Sequence, residues 1–262
     1  MDYSARAKEI SYRSRINIIE IVYRAKGGHL GGSLSVVDIL SSCYSMKEKL
    51  PFELILSKGH CMLAWLCVLH EVGKVSKAEL DSYYVDGSIF GGHPKRGVVD
   101  EISWATGSLG HGLSVCCGKA MARPDKKFIC ILGDGETNEG SVWEGLMFLS
   151  QHKINNVLVI IDNNRQESLD LTDNILSIED LGKRLGGFQL NIARINGHNF
   201  KSLVSNIELS LRDEVTMPSV IIADTVKGKG VSFMEGDPKW HHRKLKDDER
   251  DLAITEIEES AA

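Results

Sequence analysis

The sequence predicts an α/β protein: a mostly parallel sheet with helices on both faces. Three observations predict it. Short apolar runs alternate with segments of helical period through the second half of the chain. Those runs are almost continuously apolar, as strands covered on both faces of a parallel sheet must be. The 262 residues, 42% hydrophobic and 26% charged, can bury one large core without disulfide or metal staples.

Taken in order, apolar residues recur at helical spacing over 3–26 (Ala7, Ile10, Ile18, Ile21, Val22), and this helix stops at Gly27 and Gly28. The loop GGHLGGS then feeds a second helix that starts at Ser33 or Ser35. Further helices are expected over 59–71 and 109–122, each opening at a glycine-rich loop with a histidine. Residues 127–132 form an apolar run ending at Gly133, Asp134 and Gly135. A helix over 139–152 and a second run over 156–161, ending at Asp162, Asn163 and Asn164, complete a βαβ unit. Runs over 189–195 and 219–224, with a helix over 200–212 between them, extend the alternation. Nothing resembling a repeat or linker divides the chain, so residues 1–262 are expected to form one domain. Its charged tail, over about 245–262, reads as a short surface helix or a frayed end.

Composition excludes several functions. With 31 Lys+Arg against 36 Asp+Glu the formal charge is -5, so no global basic field attracts nucleic acid or an anionic membrane. No run approaches the length of a membrane span, and the first residues lack an apolar signal region. The six cysteines form no CxxC pair, which suits free thiols in a reducing cytoplasm.

The most specific feature is GDG at the end of one predicted strand and NN at the end of the next, with 27 residues between Gly135 and Asn163. One helical crossover spans that distance and would set Asp134 beside Asn164 at the carboxyl edge of the sheet, where α/β proteins bind ligands. The Asp134 carboxylate, the Asn164 amide oxygen and a main-chain carbonyl such as that of Gln166 make a hard oxygen site suited to Mg²⁺ or Ca²⁺ bridging phosphates. Gly133 and Gly135 allow the backbone to approach a diphosphate. The plainer reading, a tight turn and a helix start, does not account for the paired spacing.

These residues resemble the thiamine diphosphate-binding fingerprint. GGHLGG (27–32), SKGH (57–60), GGHP (91–94), TGSLGHG (106–112), GDGETNEG (133–140), DNN (162–164), KGKG (227–230) and WHH (240–242) follow the order of the transketolase family. The resemblance spans almost the whole chain but only the diphosphate-binding half of a full-length family member, so the chain is similar to the N-terminal subunit of a split transketolase. It implies the thiamine diphosphate-binding fold, with Asp134, Asn164 and the Gln166 carbonyl as ligands of Mg²⁺, for which Ca²⁺ or Mn²⁺ can substitute. Gly135, Asn164 and His60 would contact the diphosphate, and Gly107, Ser108 and Leu109 the pyrimidine and thiazolium region. Lys227 and His241 would lie beside the cofactor, and Glu139 at a dimer interface that couples cofactor sites. His29, His93 and His241 resemble the histidines that bind sugar hydroxyls and relay protons, a task imidazole performs near neutral pH.

Taken singly, His29, His60 and His93 each read as loop or cap histidines, and Lys227 with Lys229 as either an anion loop or a solvated turn. His242 is adjacent to His241 and could exchange roles with it. His70, His152 and His198 match nothing comparable and are expected to be structural or solvent-facing. Ser108 and His111 stand where many members carry Pro and Gln.

The family's activating glutamate belongs to a pyrimidine-binding domain. The resemblance therefore implies an α2β2 assembly with a separate C-terminal subunit carrying that domain, and an isolated chain without activity. The expected reaction moves a two-carbon ketol unit from a ketose phosphate to an aldose. The substrates are small-molecule sugar phosphates, with no nucleic acid and no membrane involved. A deoxyxylulose-phosphate synthase-like subunit, the thiamine-dependent component of a 2-oxo acid dehydrogenase, and a non-catalytic binding module remain as alternatives.

Overall fold

The computed structural model describes residues 2–177 and 180–260. In the first of these, α1 (Tyr3–Ala25) is capped by Asp2, whose carboxylate accepts from the amides of Ser4 and Ala5, and it ends with Lys26 in the left-handed region. Next come α2 (Leu30–Ser45), β1 (Phe52–Leu56), α3 (Met62–Glu71), α4 (Lys77–Asp81) and α5 (His111–Ala122). The βαβ unit is β2 (Lys127–Gly133), α6 (Gly140–His152) and β3 (Val157–Asn163). The chain continues through α7 (Thr172–Leu176), α8 (Leu181–Leu185), β4 (Asn191–Asn196), α9 (Phe200–Ser210), β5 (Ser219–Asp224) and α10 (Asp247–Glu259).

The strands form one five-stranded sheet in the order β1-β2-β3-β5-β4, every neighbouring pair parallel. Side chains alternate between its faces. Ile129, Ile131, Leu158, Ile160 and Ile221 join the core under α1, α2, α3, α9 and α10. Phe128, Cys130, Leu132, Val159 and Ile222 join the core under α5, α6 and α8. Helices therefore cover both faces, as the apolar runs predict.

The register pairs Gly133 with Asp162 and Asn163 with Asp224. The carboxyl ends of β1, β2, β3 and β5 thus lie side by side, and the chain leaves them at Ser57, Asp134, Asn164 and Thr225.

One expectation changes, one strand goes unread in the sequence, and one open alternative is decided. The second helix starts at Leu30, not at Ser33 or Ser35, with His29 in the cap position. Gly31 and Gly32 lie inside its first turn because neighbours crowd them: a Cβ on Gly31 would sit 2.8 Å from Lys227 Cγ, and one on Gly32 3.0 Å from Cys61 Sγ. Strand β1 has no clear signature, since Pro51 precedes it and Glu53 interrupts its apolar run; Glu53 is met at the rim by Lys119 and by Ser103 Oγ at 2.5 Å. The charged tail is the helix α10, which buries Ala253 and Ile257 in the core it shares with α1; the chain's last two residues lie outside the described ones. All 16 residues of α2 are buried; Ser42 and Ser45 return their hydroxyls to the helix, Ser42 to Asp38 O at 2.8 Å and Ser45 to Ser42 O at 2.9 Å.

All six cysteines are buried and free of disulfides. Among the described residues no helix is long and apolar enough to cross a membrane.

Candidate active site

A cavity of about 360 Å³ opens at the carboxyl ends of the four strands. The turn after β1 contributes Lys58 and His60, the turn after β2 Asp134 and Gly135, and the segment after β3 Asn164 and Gln166. Lys227, after β5, and His241 close one side; His93, Gly107, Leu109 and Glu139 line the other. Of the residues proposed from sequence, Ser108 and His29 are not in this lining. Ser108 is exposed, and its carbonyl lies 3.3 Å from His111 Nδ1. His29 stands behind the wall, its ring centroid 5.4 Å from His60 and 5.3 Å from His241.

The oxygen edge is built by local turns. Asp134 Oδ1 accepts from the Gly135 amide at 2.9 Å, and Oδ2 accepts from the Arg165 amide across the strand pair. Asn164 Oδ1 accepts from the Gln166 amide at 3.1 Å, turning the Gln166 carbonyl into the cavity, where Lys227 Nζ donates to it at 3.3 Å. Burial, with Asp162 close by, pushes the Asp134 carboxyl up to about 6. A divalent cation would reverse that penalty. Gln166 Oε1 is buried with no hydrogen-bond partner among the described residues. Among the described residues no three or more His, Cys, Asp or Glu gather as a metal cluster, so a cation here would pair the Asp134 carboxylate with amide and main-chain oxygens, a hard oxygen set that suits Mg²⁺. The residues present fit the group.

Beneath this edge lies a buried ion pair: Lys58 Nζ is 2.5 Å from Asp162 Oδ2, and neither side chain is more than 2% exposed. Burial opposes the Lys58 charge, but Asp162 outweighs it and holds the ammonium above its ordinary value. Ser35 Oγ donates to Asp162 Oδ2 at 2.6 Å, and Thr225 Oγ1 donates to Oδ1. Asn164 Nδ2 donates to that same Ser35 Oγ at 3.3 Å, which ties the oxygen edge to the pair. Glu136 performs a similar service for three loops, accepting from Ser57 Oγ, from the Gly110 amide at 2.8 Å and from the Gly133 amide at 3.1 Å.

Sequence reasoning passed over Lys58, Asp162 and Glu136. The available signal was charge at the end of a buried strand, since such a group must find a partner inside.

The histidines cluster. His29 lies 6.2 Å from His93 and 4.6 Å from His242, and His60 lies 5.5 Å from His241, centroid to centroid. Burial, reinforced by His242, His93 and Lys227, lowers His29 to about 4; burial and then Lys227 lower His241 to about 3. Burial also lowers His60, strongly, and His93. These imidazoles are therefore neutral at pH 7. Lys227 Nζ lies 3.0 Å from His241 Nδ1; an ammonium only donates, so the His241 proton is on Nε2. His241, not His242, faces the cavity; the His242 ring packs against His29.

A family model described as "Transketolase, thiamine diphosphate binding domain" matches residues 6–257. The chain is 36% identical over 262 residues to an apulose-4-phosphate transketolase subunit of Phocaeicola vulgatus, covering 95% of this chain and 92% of that one. It is 30% identical over 273 residues to the 6-deoxy-6-sulfo-D-fructose transketolase subunit SqwG of a Clostridium species, covering 97% and 99%. Among solved structures, a transketolase from Campylobacter jejuni superposes with a TM-score of 0.84 at 25% identity, covering all of this chain and 43% of that one.

Proposed function

Because the chain belongs to the transketolase family, through its thiamine diphosphate-binding domain, we propose that it binds Mg²⁺ and thiamine diphosphate and serves ketol transfer from a ketose phosphate to an aldose. The observation that carries this reading is the meeting, in one cavity, of the Asp134–Asn164–Gln166 oxygen edge with His60, His93 and His241. Asp134, Asn164 and the Gln166 carbonyl hold the metal. Gly135, Asn164 and His60 receive the diphosphate; a Cβ on Gly135 would stand 2.5 Å from Glu167 Cγ, so only glycine leaves the space. When bound, the cofactor supplies the nucleophilic carbon and the electron sink that C2–C3 cleavage needs. His93, neutral at pH 7, takes and returns a hydroxyl proton of the sugar, while His241, oriented by Lys227 at Nδ1, donates its Nε2–H to a sugar oxygen. His29, its ring centroid 5.4 Å from that of His60 and 5.3 Å from that of His241, is assigned as the third histidine of the proton relay. Gly107, Leu109 and Glu139 bound the far side, and Glu139 is assigned to the interface between subunits. Ser108 contributes through its main chain.

The active form is an assembly with a separate subunit that carries the pyrimidine-binding domain. The Phocaeicola relative, itself named as one subunit of a transketolase and matched over most of its length, supports this. Apulose 4-phosphate is the first donor to test, since that relative is named for it.

The deciding experiment is a calorimetric titration of the chain with thiamine diphosphate, with and without Mg²⁺, repeated on Asp134→Ala. Mg²⁺-dependent binding by the wild type, with stoichiometric metal lost in the variant, is expected. Stoichiometric Mg²⁺ on Asp134→Ala would overturn the metal assignment, and a wild type that takes no cofactor would favour the binding-module reading.

A further inference from the structure

A histidine outside the cavity reaches its wall from behind. His198 follows β4 in a turn whose Asn196 Oδ1 accepts from the His198 amide at 2.8 Å. Both ring nitrogens are engaged: Nδ1 lies 2.7 Å from Asp38 Oδ2, and the Val226 main-chain N–H donates to Nε2 at 2.8 Å. Only an unprotonated ring nitrogen accepts an N–H, so the proton is on Nδ1 and is donated to Asp38.

Asp38 is a fixed anchor for that proton. It is buried on α2, and Arg15 of α1 holds it from both guanidinium nitrogens, at 2.6 and 2.9 Å, with Ser11 Oγ as a further donor. Burial works against its charge, yet Arg15 and His198 keep its carboxyl well below the usual carboxylate range.

Val226 immediately precedes Lys227. On the other side of Lys227, the Gly228 amide donates to Gly31 O at 3.0 Å, at a φ of +82°. The lysine's backbone is thus clamped from two sides, and its Nζ spans Gln166 O, Glu167 O at 2.7 Å and His241 Nδ1.

We infer that His198, in its Nδ1–H form and anchored on Asp38, is a positioning residue that fixes Val226 and thereby aims Lys227 at the Gln166 carbonyl and His241. The consequence for cofactor binding rests on the function proposed above; the latch itself does not.

Two substitutions separate a latch on Val226 from a merely structural bond to Asp38. His198→Asn keeps a donor for Asp38 but is too short to meet Val226, whereas His198→Gln sets an amide oxygen where Nε2 stood. In the full chain without cofactor, amide exchange of the Val226–Lys227 segment is expected to quicken in His198→Asn and to stay near wild type in His198→Gln. By calorimetry with saturating Mg²⁺, thiamine diphosphate is expected to bind about fivefold to tenfold more weakly to His198→Asn and within about twofold of wild type to His198→Gln. In a Lys227→Ala background, His198→Asn should add no further loss, because both act on one contact. Equal exchange in the two variants would overturn the latch. Full additivity with Lys227→Ala would overturn its route through Lys227. A wild-type chain that binds no cofactor would defeat the proposed function, while the exchange comparison would still decide the latch.

Discussion

At the scale of single residues, Lys58 and Asp162 show how a charged pair can be structural and yet define a site. Both are sealed beneath the strand ends, and every oxygen of Asp162 is satisfied by Lys58, Ser35 or Thr225. Removing one partner of such a pair strands the other charge, at a cost of about 3–5 kcal/mol. Lys58→Met is therefore expected to lower the unfolding free energy by about that amount in urea titrations, with Lys58→Met/Asp162→Asn losing less than the sum of the single changes. An unchanged midpoint in Lys58→Met would remove the pair from the account. Neither residue was legible as a pair in the sequence, because they are separated by 104 positions and meet only where β1 and β3 flank β2.

At the scale of elements, the first turn of α2 carries the clearest lesson. Glycine in a sequence reads as loop, so GGHLGG suggests a late helix start; in the fold Gly31 and Gly32 are helical, and Gly31 must lack a side chain because Lys227 and Trp240 pass against it. A Cβ on Gly31 would meet Lys227 Cγ at 2.8 Å and the Trp240 carbonyl at 3.1 Å. The carbonyl is main chain and cannot yield, so the lysine must move. Gly31→Ala should favour the helix slightly by propensity, by about 1 kcal/mol. It should nonetheless weaken thiamine diphosphate binding by about tenfold, roughly the value of a displaced charge-assisted hydrogen bond. Titration of cofactor beside a thermal melt checks this, and unaltered affinity would show that Lys227 tolerates the shift. Strand β1 makes the same point from the other direction: five residues with an internal glutamate give no periodic signal, and only pairing with β2 makes them a strand.

At the scale of the whole molecule, the cluster of neutral histidines couples the site to stability. His29 and His241 titrate near 4 and 3 in the fold, whereas a histidine in an unfolded chain titrates near 6.5. Between those values the unfolded state binds more protons, so their contribution is intact above about pH 6.5 and is lost as pH falls toward about 4. Asp134, raised to about 6, acts in the opposite sense below that pH, so a single curve mixes both. The difference between wild type and His29→Gln isolates the histidine: the variant's melting temperature should gain on that of the wild type as pH falls from about 7 to about 5. A pH-independent difference would mean that His29 is not protonated on unfolding in this range.

What the sequence by itself determined is the architecture and the address of the site. Continuous apolar runs separated by one helical crossover dictate a parallel sheet, and GDG and NN at consecutive strand ends dictate where its carboxyl edge gathers carboxylate and amide groups; both are local patterns of period and spacing. What only the tertiary structure decided is which groups meet there: Lys58 with Asp162, His241 rather than His242 at the cavity, Glu136 across three loops, and His198 between Asp38 and Val226. These are through-space relations, as between His198 and Asp38 at 2.7 Å and 160 positions apart. Hydrogen bonding at that range depends on the packing of helices against the sheet, to which no local pattern of residues is sensitive.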